Sequence, residues 1–592
     1  MALLRRPTLV QAVPLPGARV YCLATHGQFV YAFGIEENHD TTMHIYSINP
    51  ARAAKHDDDL GGREEPRFVP SGVGGGGAFY APSLHPAEPG DVFVRSDMSG
   101  CYRSTDDGGH WKIYSSLVMA HCTVFYTPTA GELFATISEE GTTPKRPGGI
   151  IRSTDSGEQW EYVTVPAAGQ LFFDELGGQR ALIVNDTAVT TSTDALKTFR
   201  VAHRFRSANW SDSAIVGVFF EPHGPRVLVG QPDAVLASSD NGRTFSRSEL
   251  RGMDDGEALL SFAGGRDGSD LVLYAIAGDR GKMSTETFAD ERRKLSASTG
   301  VYRLRIESAD AGASGNWTLA TAGLPALSAK GGKHGVNIVR MAATNATVFM
   351  SGLDSEHDLP TVWKSTGRES GWRNTFQASN NSNIATGFEG HGGYPAPPGT
   401  GFGFAWGGAA NGLGVAAGDP DRVVTTDDGF VHGSSDGGET WAALYVDPAD
   451  RNPVGAPVPS RFAKSYRSNG LEDTSSWWLE WLGDDTMFAG FTDIGAIRSV
   501  SRGRTWARNY TAEIGNTMYH VEIDQKTGYA YGACAEQHDM CKIVILSRFV
   551  ALSVLLTQKV SLFQTRTTAL GIVTGATAAF SRRGIGASRG RS

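Results

Sequence analysis

The 592-residue sequence has little of several features that would assign it a chemistry outright. Its five cysteines, Cys22, Cys101, Cys122, Cys534 and Cys541, have no metal-ligand spacing, and their odd number argues against a complete disulfide framework. The histidines are dispersed without a His-x-x-x-His pair, so no metal or other cofactor is expected. The run Gly74 to Gly77 has no Lys-Ser/Thr behind it and is not read as a phosphate loop. Charge of one sign is also lacking: 54 Lys and Arg against 63 Asp and Glu, a net −9, leave no basic face for nucleic acid and no acidic tail. Long apolar runs are missing too. Ile543 to Leu556 is shorter than the ~20 residues that cross a bilayer and contains Arg548, so no membrane helix is expected. The opening "MALLRRPTLVQAVPLPGARVYC" has basic residues but no apolar core, and no signal peptide is evident. The partner left by these exclusions is a neutral molecule.

What the sequence does have is 73 glycines and 12 tryptophans, many tight turns with large anchors, which favours an all-β fold. One pattern recurs: Ser-x-Asp-x-Gly-x-x-aromatic. Clear copies are "STDDGGHW" with Asp106, "STDSGEQW" with Asp155, "SSDNGRTF" with Asp240 and "SSDGGETW" with Asp436. "STDALKTF" loses the glycine, and "SVSRGRTW" has Ser501 in place of the aspartate. The aspartate can accept backbone N–H groups of its own turn, and the glycine can take a positive φ, so each copy should close a hairpin whose aromatic is buried beside the next sheet. Apolar segments such as "DVFVR", "GIIR" and "AVLAS" precede the boxes. The four box aspartates are therefore read as scaffold. The copies starting at 104, 153, 192 and 238 lie roughly 40 to 50 residues apart, about one four-stranded propeller blade.

These are the marks of the Asp-box, or BNR repeat, and the chain resembles the sialidase-like β-propellers built from it. About seven blades are expected over residues 1–395, up to the Gly/Pro-rich loop "GFEGHGGYPAPPGTGFGFAWGG", and about three more over 396–540. Either two tandem seven-bladed propellers with the second incomplete, or one ten-bladed propeller, fits that rhythm. Residues 541–592 lose the acidic residues and the turn signals and read as a basic tail, disordered or from a misread frame.

The segment "GGGGAFYAPSLHPAEPGDVFVRSDMSGCYRSTDDGGHW" further resembles the N-terminal region of family 74 glycoside hydrolases, the xyloglucan-cleaving endoglucanases. Its "RSDMSGCYR" stands where that family has a catalytic aspartate in "TDxGGxYR", and "DDTMFAGFTDIGAIRSVSRGRTW" is similar to the family's second-lobe motif. The resemblance implies two propellers around an open cleft, with Asp97 as base and Asp493 as acid of an inverting cleavage of a β-1,4-glucan. In that chemistry one carboxyl protonates the leaving oxygen while the other activates water. Asp97 is expected to stay ionised and Asp493 to have its pKa raised. Asp97 precedes Met-Ser-Gly where the family has Ile/Leu-Gly-Gly, and Asp493 precedes Ile-Gly-Ala rather than Ile-Gly-Gly.

A flat neutral glucan asks for aromatic platforms, and Trp477, Trp478 and Trp481 in "SSWWLEW", with Trp406 in "GFAWGG", are candidates either for that or for blade packing. On a strand, the neighbours Trp477 and Trp478 must face opposite sides. The resemblance also implies a secreted monomer, with which six Asn-x-Ser/Thr triplets, from Asn185 to Asn509, are compatible. A non-catalytic carbohydrate- or protein-binding propeller, sortilin-like or a degenerate hydrolase, is the alternative. A sialidase ranks third, because no Tyr/Phe-Arg-x-Pro motif precedes the first box and "PRFVP" does not match it.

Overall fold

The computed structural model describes residues 69–535, apart from 98–99, 115–116, 118–121, 138–147, 286, 288–293, 295–296, 308–314, 328–335, 358, 368–370, 389–409, 460–462, 483, 493, 508–516 and 525–528, together with the strands Ala18–His26, Phe29–Glu36, His44–Ile48 and Val560–Arg566. The described residues are built almost wholly of strands and turns, and the fold is a β-propeller. Among the described residues there are nine sheets, most of them four-stranded antiparallel meanders in sequence order. No helix among these residues is long and apolar enough to cross a membrane.

The sheets between 79 and 443 are apolar on both faces, because each is sandwiched between two others. Ala234–Ser238, for example, is buried at all five positions. From 79 to 443, seven successive sheets pack face to face through shared apolar clusters: Phe134 against Phe173, Val184 against Val227, Leu228 against Leu273, and Ile276 against Ile338 each fall in a cluster bridging neighbours. The seventh sheet then returns to the first, since the strands Gly412–Ala416 and Asp419–Thr426 pack on Phe79–Leu84. Thr426 Oγ1 donates to the Phe79 carbonyl at 2.7 Å across that seam. The Gly/Pro-rich break near 395 lies outside the described residues, and Ile384–Ala385 ahead of it pairs with Trp441–Ala443 behind it.

The sheet of Ser476–Trp481, Met487–Phe491 and Gly495–Ser499 continues through Thr517–Asp524 and Tyr529–Ala535. Within the basic tail, Val560–Arg566 adds a strand to it, and the rest of 541–592 lies outside the described residues. A disulfide joins Cys101 to Cys122, tying adjacent sheets with a Cα–Cα distance of 6.4 Å.

The boxes close their hairpins by one recurring geometry. In each clear copy the serine hydroxyl donates to the aspartate and accepts the glycine N–H, as Ser238 does with Asp240 at 2.7 Å and Gly242 at 2.8 Å. The aspartate then accepts the N–H four residues on: His110 to Asp106 at 2.8 Å, and Gln159 to Asp155, Thr244 to Asp240 and Thr440 to Asp436 at 2.9 Å. Asn241 and Gly242 take φ of 63° and 79°, the left-handed pair that the turn requires. The copy without glycine keeps the turn with Ala195 and Leu196 at 56° and 62°, its Leu196 held in the core. Box aromatics are anchors: Trp111 and Trp441 are buried, while Trp160 and Phe245 are half-buried. "GIIRS" and "AVLAS" lead straight into their boxes, whereas "DVFVRS" ends at Asp97 and a further strand, Cys101–Thr105, leads into the first box.

Candidate active site

Asp97 and Asp106 cap opposite ends of that one strand, Cys101–Thr105, about 16 Å of extended chain. Asp106 lies in the outer hairpin turn. Asp97 lies in the turn after Asp91–Ser96, which Ser96 N–H closes onto the Gly100 carbonyl at 2.7 Å. The two aspartates therefore belong to different ends of the sheet, one in a box and one outside it.

Asp97 leans on the Gly-rich segment at 71–78, its N–H donating to the Ala78 carbonyl at 3.0 Å. Two other stretches clasp the same segment. From 469–475, Gly75 N–H donates to the Leu471 carbonyl at 2.6 Å, Asp473 N–H donates to the Gly75 carbonyl at 3.3 Å, and Glu472 Oε1 accepts Gly72 N–H at 2.9 Å. From the turn 427–430, Gly76 N–H and Phe79 N–H donate to the Gly429 and Asp427 carbonyls, both at 3.0 Å. The glycines are there for room: a Cβ on Gly74 would sit 1.8 Å from the Tyr445 carbonyl oxygen, and one on Gly77 would sit 2.6 Å from Asp473 Oδ2. The glycine run is thus a packing device, in keeping with its lack of a phosphate-loop lysine.

The clasp brings together five carboxyls. Asp97 is the one open to solvent, and its carboxyl hydrogen-bonds to that of Asp473, which is fully buried. Protein crowds Asp97 even though its tip reaches water. Burial pushes its pKa up to about 6, the hydrogen bond from Asp473 pulls it back, and the charge of Asp428 adds to the rise. It remains largely ionised at neutral pH, but not in the ordinary carboxylate range. Asp427 is buried and pushed up to about 7, despite accepting Gly429 N–H at 2.9 Å and Phe430 N–H at 2.8 Å. Asp428 accepts the Asn411 amide. Burial likewise pushes Glu472 up to about 7, and its main-chain carbonyl accepts the Tyr102 hydroxyl. Among the described residues no group of three His, Cys, Asp or Glu is arranged to hold a metal ion.

Asp493 lies outside the described residues, as does Trp406. On one side of position 493, Ile494 adjoins the same Gly-rich segment: its Cγ2 would lie 3.3 Å from a Cβ on Gly76, and Thr474 Cγ2 would lie 3.4 Å from it. Thr474 Oγ1 donates to the Thr492 carbonyl at 2.8 Å, and Trp477 Nε1 donates to Thr492 Oγ1 at 2.6 Å. Of the tryptophans, Trp478 is 38 % exposed, with its ring 4.2 Å from that of His520. Trp477 is half-buried against Tyr519, and Trp481 is half-buried on the main apolar cluster.

Asp427, Asp428, Glu472 and Asp473 were not anticipated. One signal was available: Asp427 stands seven residues ahead of Ser434 in its box, as Asp97 stands seven ahead of Ser104. Nothing comparable marks Asp473.

No protein-family model and no curated protein sequence matches the chain. Among solved structures it is similar to an ancestral GH74 enzyme (17 % identity, TM-score 0.56), with 79 % of this chain covered. The match takes in 59 % of that enzyme, so the chain spans about three fifths of its length. The Niastella koreensis GH74 enzyme also matches (16 % identity, TM-score 0.49, 79 % of this chain and 71 % of that one). So does the GH74 xyloglucanase from Xanthomonas campestris (14 % identity, TM-score 0.47, 84 % of this chain and 73 % of that one). The fold of this chain is thus the propeller fold seen in the ancestral GH74 enzyme, reached with little sequence in common.

Proposed function

We propose that this protein is a glycoside hydrolase that cleaves a neutral β-1,4-glucan of the xyloglucan type with inversion, Asp97 acting as base and Asp493 as acid. The observation that carries this reading is the convergence on one Gly-rich segment: Asp97 is held by Ala78, and the residues on either side of 493 adjoin Gly76 or are tied to Thr474 beside it. In the reaction, a water proton passes to Asp97 as the water oxygen bonds to the anomeric carbon. The glycosidic C–O bond breaks, and the leaving oxygen takes its proton from Asp493. Such a pair works at a separation of about 6.5 to 9.5 Å, which leaves room for the water. A base with a pKa near 6 is stronger than an ordinary aspartate and still ionised at neutral pH. The disulfide between Cys101 and Cys122 suits an oxidising compartment and so supports a secreted protein.

The test is hydrolysis of xyloglucan and other β-glucans by wild type, Asp97→Asn and Asp493→Asn. Each variant should lose at least about 10²-fold in kcat while keeping the wild-type melting temperature. The kcat/KM profile of wild type should fall as pH drops through about 6, where Asp97 takes up its proton. Asp97→Asn with full activity would discard the mechanism, and no hydrolysis with retained glucan binding would leave a binding propeller.

A further inference from the structure

We propose that Asp473 is a positioning residue that shares a proton with Asp97, its carboxyl O–H donating to the Asp97 oxygen so that the other oxygen is free to take a proton from water. This role rests on Asp97 being the base, whereas the shared proton itself is a property of the fold. Both residues are fixed by the Gly-rich segment: Asp97 through Ala78 and Asp473 through Gly75, with Gly77 giving way to the Asp473 carboxyl.

Two carboxyls can be joined by a hydrogen bond only if one of them is protonated. The proton belongs on Asp473, which is 0 % exposed, because charge costs most where water is absent. Asp97 reaches solvent and can hold the charge. The titratable groups around the pair are Asp428, whose charge raises the Asp97 pKa, and Asp427 and Glu472 on the two clasping stretches. An unassisted carboxylate among these acids would be pulled further toward its neutral form. The Asp473 hydrogen bond opposes that pull and so keeps the base usable closer to neutral pH.

The test is a carbon NMR titration of the full chain carrying carboxyl-labelled aspartate, with the Asp97 signal assigned by its loss in Asp97→Asn. Asp473→Asn keeps the shape and a donor; Asp473→Leu keeps the volume and removes the donor. Asp97 should titrate near 6 in wild type. Its midpoint should rise by about one pH unit in Asp473→Leu, the size expected from losing one charge-assisted hydrogen bond, and stay at or below the wild-type value in Asp473→Asn. The acid limb of kcat/KM should move in the same order. An unmoved midpoint in a folded Asp473→Leu, or Asp473→Asn behaving like Asp473→Leu, overturns the proposal. Should the leucine variant not fold, Asp97→Asn decides, because it must shift the Asp473 signal, and an unshifted signal also overturns the pairing. Ordered midpoints without any glucan hydrolysis would sink the hydrolase and keep the pair. Hydrolysis whose acid limb ignores Asp473 would do the reverse.

Discussion

Two tryptophans a few residues apart on one strand illustrate how much a side chain's role depends on the face it occupies. Trp478 stands out from the sheet beside His520, while Trp481 lies on the apolar cluster that also holds Phe491 and Trp506. Trp478→Ala should weaken glucan binding about tenfold and leave the melting temperature in place. Trp481→Ala should cost about 2 kcal/mol of stability, less than a fully buried tryptophan. Affinity electrophoresis in xyloglucan gels and urea unfolding separate the two. Alternation along a strand predicts a split between Trp477 and Trp478, and Trp478 is the more exposed of the two, although a bulge between Ser476 and Trp478 interrupts the regular pairing at Trp477. The partnership of Asp97 with Asp473 was not legible. It arises where residues far apart in the chain, at positions 97 and 473, meet on one glycine segment, and no local pattern records such a meeting.

The hairpin turn was the most readable element, since serine, aspartate and glycine satisfy its hydrogen bonds within a few residues. The sixth copy shows how far the motif tolerates change: Ser501 Oγ accepts Thr505 N–H at 2.9 Å, and Gly503 N–H still reaches Ser499 Oγ at 2.9 Å. The single Ser501 oxygen must serve both the Thr505 N–H and the Thr505 hydroxyl at 2.8 Å, whereas Asp240 divides those bonds between two oxygens, the second accepting the Thr244 hydroxyl at 2.6 Å. Ser501→Asp should therefore raise stability by about 0.5 to 1 kcal/mol, read from the midpoint of denaturant unfolding, and an unchanged or lowered midpoint would count against this account of the box. Less readable was the first box, where an extra strand separates the apolar run from the turn. That strand is what carries Asp97 and Asp106 to opposite ends of the sheet.

Over the whole molecule, two sets of carboxyls tilt stability in opposite directions with pH. In the degenerate box Asp194 is held down to about 2 by the Thr198 hydroxyl and N–H, so its contribution is complete above the unfolded value near 3.9 and disappears as pH falls toward 2. Glu472 and Asp427 are raised to about 7 by burial. Their contribution is complete below the unfolded values near 4 and is lost as pH rises to about 7. Melting temperature should peak between these limits and decline toward neutrality. Glu472→Gln, whose amide oxygen can still accept Gly72 N–H, should flatten that decline, and an identical slope in the variant would remove Glu472 as its source. The strand succession was readable because each sheet is contiguous in sequence. The seam, by contrast, joins Thr426 to Phe79, and beyond it Trp506 reaches Ser71, contacts between distant parts of the chain. During synthesis on a ribosome, the sheet that begins at Phe79 must wait with one face uncovered until the strands ending at Ala443 have emerged. Its early life is that of an open fan whose first rib can adhere to other chains, and the yield of folded protein is set by how quickly the last rib arrives.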